Sequence, residues 1–165
     1  MHQRLRLVEE QLGRNVTLQL FWQLAGQPEF CEAQSTRLSL AIGRGQAQAQ
    51  LTLPAPGEAA LVALRLDPAE QPGLVNLQQL SLLNSSGERL WQWQLGDSPR
   101  LPLQPVTNGT RLVERAIVCV DHDPAVALQI PEAALAGLGG GGSLLVEAQW
   151  EPLNPELGAM LQATG

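Results

Sequence analysis

The chain has 165 residues, of which ten are basic and sixteen acidic, giving a formal net charge of −6 at pH 7. This acidity argues against nucleic acid as a partner, since nucleic-acid binding needs a basic surface, and against an anionic membrane surface. No apolar run approaches the ~20 residues that span a bilayer, so no membrane insertion is expected. The length and the 44% hydrophobic content are those of one globular domain.

The N-terminal residues predict a short helix. Leu5, Val8 and Leu12 recur at helical spacing, and Gly13 ends the pattern. Residues 1–14 are therefore expected to be a helical or coiled-coil lead-in, through which the chain could form a homo-oligomer. This segment is charged and polar where a signal peptide would be apolar, so the expected location is the cytoplasm.

Strands are predicted from residue 16 onward, because apolar residues alternate with polar ones between turns rich in glycine and proline. The alternation predicts strands over 16–24, 36–42, 47–53, 61–66, 74–83 and 88–95. A loop with two prolines, 67–73, separates the fourth strand from the fifth.

The fifth strand carries a shift in its apolar pattern. Val75 and Leu77 have one phase and Leu80 has the other, so a β-bulge is expected near Gln78 and Gln79. Asn-Ser-Ser-Gly at 84–87 then predicts a hairpin loop.

The rest of the chain adds further short elements: an irregular crossing over 96–109, strands over 111–120, 126–130 and 143–150, a helical turn over 131–135 and a flexible glycine loop over 139–142. About nine short strands without βα alternation predict an all-β domain over residues 15–151. Its expected fold is an antiparallel β-sandwich, jelly-roll-like, with the short N-terminal helix. Residues 152–165 are expected to be a linker or the start of a following segment.

Asp121, His122 and Asp123 form the one cluster of metal-ligand residue types. Three adjacent residues on a strand cannot all face one ion, because successive side chains alternate between faces. A turn in which an aspartate bonds its own backbone is the preferred interpretation. Since no nucleophile elbow or phosphate-binding loop is present either, we expect no metal, no cofactor and no catalytic residues.

Asp67 and Glu70 could form a carboxylate pair of the kind that glycoside hydrolases use. The interpretation favoured here is that Asp67 caps the loop 67–73 by accepting hydrogen bonds from backbone amides. A structural calcium ion bound by Asp67 is the further alternative.

Trp91 and Trp93 share one face of a strand, where two indoles could form a stacking platform for a sugar or belong to the core. Gln92 and Gln94 occupy the opposite face, which favours the core. Trp150 is predicted to be the surface aromatic of the chain. The candidate ligand-binding residues are therefore Trp91, Trp93, Trp150 and Asp67.

Several segments together resemble the non-catalytic β-sandwich module of some bacterial glycosyltransferases and methyltransferases that build surface polysaccharide. They are Phe21-Trp22, Phe30-Cys31-Glu32, Leu64-Arg65-Leu66-Asp67-Pro68, Pro72-Gly73, Leu90-Trp91 and Asp121-His122-Asp123-Pro124. The resemblance covers residues 16–150. It implies a cytoplasmic accessory domain whose partner is the catalytic domain of the same chain.

The expected function is thus a non-catalytic accessory domain of a larger polysaccharide-synthesis enzyme, which could bind a glycan. A structural spacer or oligomerisation domain without a ligand is the alternative. A stand-alone hydrolase is the third hypothesis, and it has the least support from the residues.

Overall fold

The computed structural model describes residues 15–41, 46–96, 101–107, 110–113, 116–121 and 123–152. The helix expected in residues 1–14 and residues 153–165 of the expected linker lie outside this part of the chain.

The described residues form an antiparallel β-protein, as predicted, with eleven strands and one short helix. The strands are β1 Asn15–Leu24, β2 Ser35–Ala41, β3 Gln46–Leu53, β4 Leu61–Asp67, β5 Gly73–Asn84, β6 Arg89–Gln94, β7 Leu103–Pro105, β8 Thr110–Val113, β9 Ala116–Cys119, β10 Val126–Leu128 and β11 Gly142–Pro152. Helix α1, Glu132–Ala136, has five residues and follows Pro131, which confirms the predicted helical turn. Among these residues no helix has the length and apolar character needed to cross a membrane.

The strands form two sheets. Sheet A has the order β2-β1-β4-β10-β7, and sheet B has the order β3-β11-β5-β9-β8. Strand β6 also pairs with β5. It lies on the same edge of β5 as β9, because β5 is long enough for β9 to pair with residues 73–76 and β6 with residues 79–83. The connections β2 to β3, β3 to β4 and β4 to β5 each carry the chain from one sheet to the other.

The count of eleven strands corrects the expected nine at two places. The segment predicted as one strand over 111–120 is the hairpin β8–β9, in which Val113 pairs with Ala116. The sequence between Val113 and Ala116 contains no glycine or proline, so no break in the strand was predicted there. The crossing over 96–109 contains β7, whose three residues are too few for alternation to show.

Buried side chains from both sheets form one hydrophobic cluster. Leu18 and Leu20 of β1 and Leu144 and Val146 of β11 are each at most 1% exposed. Fully burying a side chain of this size stabilises the fold by about 1.5–3 kcal/mol. The alternation that predicted these strands therefore marks the residues that hold the sheets together.

The β-bulge predicted in β5 is confirmed. Glu147 of β11 pairs with Gln79 and Ala148 pairs with Leu77, so Gln78 is the extra residue. The bulge turns both Leu77 and Leu80 toward the core, where they are 1% and 0% exposed. The predicted hairpin loop after β5 is also confirmed.

The glycine run 139–142, expected as one flexible loop, is a loop only up to Gly141, because Gly142 already belongs to β11. Gly141 has a φ of +87°, and a Cβ on Gly142 would collide with the carbonyl oxygen of Leu83. Gly142 begins β11 and pairs with both Leu53 and Asn84, so the backbones of three strands meet there. Glycine is required because the strands approach closely.

Candidate functional site

A polar groove of about 580 Å³ lies over the outward side of sheet A. Its floor begins with Thr17, Gln19 and Phe21 of β1, which alternate with the core residues Leu18 and Leu20. Because successive side chains of a strand point to opposite faces, the packing of the core residues fixes the groove residues outward.

The strand register brings polar side chains from three strands together. Gln19 of β1 lies opposite Arg37 of β2 on one side and Asp67 of β4 on the other. Phe21, two residues further along β1, lies opposite Arg65. Directly opposed residues have Cβ atoms about 4.5–5.5 Å apart, so these side chains are within reach of one another.

Arg65 and Asp67 form a two-point ion pair on the floor of the groove. Arg65 Nε donates to Asp67 Oδ1 at 2.9 Å and Nη2 donates to Oδ2 at 3.1 Å. The guanidinium carbon also lies 4.7 Å from the centre of the Phe21 ring. The stacking and the paired hydrogen bonds fix the plane of the guanidinium, and among the described residues its Nη1 has no partner.

Burial raises the pKa of the Asp67 carboxyl above its ordinary value of 3.8, although the hydrogen bonds and charge of Arg65 act in the opposite direction. The negative charges of Asp123 and Glu32 raise this pKa further. The structure thus corrects the expected role of Asp67: its carboxylate oxygens accept hydrogen bonds from Arg65, and not from backbone amides of the loop 67–73.

A second network joins the groove to the segment before β2. Gln19 Nε2 donates to Glu32 Oε2 at 2.9 Å and to Ser35 Oγ at 2.8 Å. Arg37 Nη2 donates to the same Glu32 oxygen at 3.1 Å. These bonds orient the amide of Gln19 and leave its Oε1, together with Glu32 Oε1, free of partners within the described chain.

One aromatic side chain forms part of the groove wall. Phe30 packs edge-to-face on Phe21, with ring centres 6.5 Å apart and planes at 74°. Phe21 is only 5% exposed because Phe30 and Arg65 cover it, whereas Phe30 is half-buried. Phe30 therefore presents the apolar surface that a ligand in the groove would touch.

Two further carboxylates lie at the rim. The Glu70 carboxylate accepts a hydrogen bond from the backbone N–H of Thr17. Asp123 lines the groove from the connection between β9 and β10, and its own N–H donates to Asp121 Oδ1 at 2.9 Å. This last bond confirms the predicted turn at Asp121, while His122 lies outside the described residues.

The candidate tryptophans do not line this groove. Trp93 is 5% exposed, and Trp91 is half-buried against the core. They lie opposite Leu80 and Leu82 of β5, two core residues. Trp93 belongs to the core as expected, while Trp91 packs against the core with part of its surface exposed.

Trp150 is 4% exposed, so the prediction that it is a surface aromatic is wrong. Strand β11 continues to Pro152, and Trp150 shares the inward face of Leu144, Val146 and Ala148. The sequence already shows this relationship, because these four residues are spaced two apart. Trp150 Nε1 donates to the carbonyl oxygen of Pro68 at 2.9 Å, and so holds the chain next to Asp67 from inside.

Sequence reasoning did not single out Gln19, Arg37 or Thr17 as site residues. Their outward position follows from the alternation in β1 and β2, but their meeting depends on how the strands pair. Arg65 could have been found, because it is two residues from Asp67 and therefore shares its face of the strand.

Within the described ranges no group of three or more His, Cys, Asp and Glu side chains is placed to hold a metal ion. No known protein-family model matches the sequence, and no curated protein or solved structure is significantly similar to it.

Proposed function

We propose that this chain is a non-catalytic carbohydrate-binding accessory domain and that the groove on sheet A is its glycan site. The observation that carries the proposal is the set of planar polar side chains fixed beside Phe30: the amide of Gln19, the carboxylate of Glu32 and the guanidinium of Arg65.

Planar polar groups suit a sugar because each presents two or more hydrogen-bonding atoms to neighbouring hydroxyls. Here Gln19 is bonded to Glu32 and Arg65 is bonded to Asp67, so less conformational entropy is lost when a ligand binds. The Phe30 ring offers an apolar contact for the C–H face of a sugar ring. A site with a few convergent polar groups and an aromatic surface is the usual form of a small-molecule pocket.

The state of the carboxylates favours binding over hydrolysis. Glycoside hydrolases need one carboxyl group free to protonate the leaving oxygen and a second placed as base or nucleophile. Both oxygens of Asp67 instead accept hydrogen bonds from Arg65, and Glu70 accepts one from a backbone amide. These contacts support a non-catalytic role for the pair Asp67 and Glu70.

The proposal includes a jelly-roll-like sandwich as the architecture and the cytoplasm as the location. The repeated crossing of the chain between sheets A and B and the shared core support the first. The resemblance of the segments around Arg65-Leu66-Asp67 and Phe30-Cys31-Glu32 supports a place beside the catalytic domain of a polysaccharide-synthesis enzyme.

A glycan array followed by titration calorimetry on the best binder would test the proposal. Gln19→Ala is expected to weaken binding about tenfold, the equivalent of one good hydrogen bond. Gln48→Ala is the matched control, because Gln48 is an exposed glutamine of β3 outside the groove. If no glycan binds at millimolar concentration, the structural-spacer alternative replaces this proposal.

A further inference from the structure

The charges around the groove are unequal. Four carboxylates and two guanidiniums line it, those of Glu32, Asp67, Glu70, Asp123, Arg37 and Arg65. At neutral pH the lining therefore carries more negative than positive charge, in a protein whose formal net charge is already −6.

The two guanidiniums are already engaged by carboxylates. Arg37 pairs with Glu32 at 3.1 Å, and Arg65 pairs with Asp67 at 2.9 Å. No cationic group of the described chain pairs with Glu70 or Asp123. The uncompensated charge is thus the negative charge of these two rim carboxylates.

The atoms left for a ligand include both acceptors and donors. Oε1 of Gln19, Oε1 of Glu32 and the carboxylate of Asp123 have no donor among the described residues, while Nη1 of Arg65 and the Nε and Nη1 of Arg37 have no acceptor there. Sugar hydroxyls fit such a site because each can both donate and accept a hydrogen bond.

We infer that the groove selects glycans without acidic groups and rejects their uronic-acid counterparts. This inference rests on the proposed glycan binding and adds the class of glycan. A carboxylate on the ligand would meet guanidiniums whose charges Glu32 and Asp67 already balance, and it would approach the unpaired carboxylates of Asp123 and Glu70 at the rim. The charges of Asp123 and Glu32 act in the same way on the Asp67 carboxyl, since both raise its pKa, whereas the charge of Arg65 lowers it.

The test uses oligosaccharides in pairs that differ only by oxidation of the C6 hydroxymethyl group to a carboxylate: glucose and glucuronate, galactose and galacturonate, mannose and mannuronate oligomers. For the pair whose members bind best, the neutral oligomer is expected to bind roughly tenfold tighter, because charges about 4 Å apart still repel appreciably in water. Raising NaCl from about 0.1 M to about 1 M shortens the screening length from about 10 Å to about 3 Å and should narrow the difference.

Two variants test whether the rim carboxylates cause the preference for neutral oligomers. Glu70→Gln keeps an oxygen for the Thr17 amide, and Asp123→Asn changes an exposed side chain, so the fold should persist in both. Each is expected to reduce the ratio of neutral to acidic oligomer affinity about three- to fivefold. Glu58→Gln removes a negative charge from the β3–β4 loop outside the groove and should change neither affinity.

The outcomes separate the two proposals. The inference is supported if the neutral oligomer binds more tightly than the acidic one and if this difference in affinity becomes smaller at high salt and in both rim variants. Equal or tighter binding of the acidic members overturns it, while glycan binding by the domain stands. Equal effects of Glu58→Gln and the rim variants would also overturn it, because the net charge and not the groove would then discriminate. If no member of any pair binds, the glycan-binding proposal fails, and the inference fails with it.

Discussion

The indole N–H of Trp150 donates a 2.9 Å hydrogen bond to the carbonyl oxygen of Pro68, a residue 82 positions earlier in the chain. Trp150 belongs to β11 of sheet B, and Pro68 directly follows β4 of sheet A. Both residues are buried. One interior hydrogen bond therefore connects the two sheets directly beneath the residue pair Asp67 and Arg65 on the outer face.

Trp150→Phe is expected to destabilise the fold more than Trp93→Phe does. The two indoles are almost equally buried, at 4% and 5% exposure, but within the described chain Trp93 Nε1 has no hydrogen-bond partner. Losing the Trp150 bond leaves the Pro68 carbonyl unsatisfied, at a cost of about 1–3 kcal/mol, whereas Trp93→Phe removes an unpaired polar atom. Urea denaturation of both variants measures the difference. Equal midpoints would show that the bond to Pro68 contributes nothing.

Trp93→Ala is expected to lower the free energy of unfolding by about 3–5 kcal/mol, the usual cost of emptying a buried aromatic site. Trp91→Ala should cost less, because Trp91 is only half-buried and part of the space it leaves opens to solvent. Thermal and urea denaturation of the two variants gives the comparison. A larger loss for Trp91→Ala would contradict the burial described for β6.

Gly142→Ala is expected to destabilise the fold strongly, because its Cβ would collide with the Leu83 carbonyl oxygen and the three strands cannot separate without breaking hydrogen bonds. Overpacking of this kind costs about 1–3 kcal/mol or more. Gly139→Ala is the control, since its Cβ would meet nothing closer than 3.8 Å. The midpoint of denaturation should fall for Gly142→Ala alone. Similar falls in both would mean that the region rearranges freely.

Asp67→Asn provides a test of the raised pKa. The pKa of Asp67 has its ordinary value of 3.8 in the unfolded chain and a higher value in the folded state. At pH values between the two, the native protein therefore binds more protons than the unfolded chain. The contribution of Asp67 to stability is therefore fully present below the unfolded-state value and decreases as the pH rises through the folded-state value.

The stability of the wild type relative to Asp67→Asn should accordingly be greatest near pH 3 and decrease toward neutral pH. Because every other carboxyl group is common to both proteins, the difference between them isolates Asp67. Denaturant titrations over this pH range provide the measurement. A difference that grows with pH would show that Arg65 outweighs burial and that the pKa is in fact lowered.

Much of the fold follows from local pattern. Alternation predicted β1 to β6 because each buries one face, and the phase shift between Leu77 and Leu80 predicted the bulge at Gln78. The division of residues 111–120 into β8 and β9 was missed because the sequence between Val113 and Ala116 contains no glycine or proline. The role of Gly142 was missed because a close approach of three backbones cannot be read from one strand.

Less of the candidate site than of the fold could be predicted from the sequence. Asp67 was identified, but its partner Arg65 was not, although the two share a face of β4. Gln19, Glu32 and Arg37 meet only because β1 pairs with β2 in one register, and pairing is a tertiary property. Trp150 was assigned to the surface because the following proline suggested an early end to the strand.

The position of β11 between β3 and β5 has a consequence for the order of folding. In the described structure β3 and β5 have no hydrogen bonds to each other, and β11, the last of these strands in sequence, joins them. During synthesis from the N-terminus, the edges of β3 and β5 that pair with β11 stay without this partner until residues 142–152 leave the ribosome. Strand β3 therefore joins the rest of sheet B last, and a stalled or truncated product would expose unpaired, aggregation-prone strand edges.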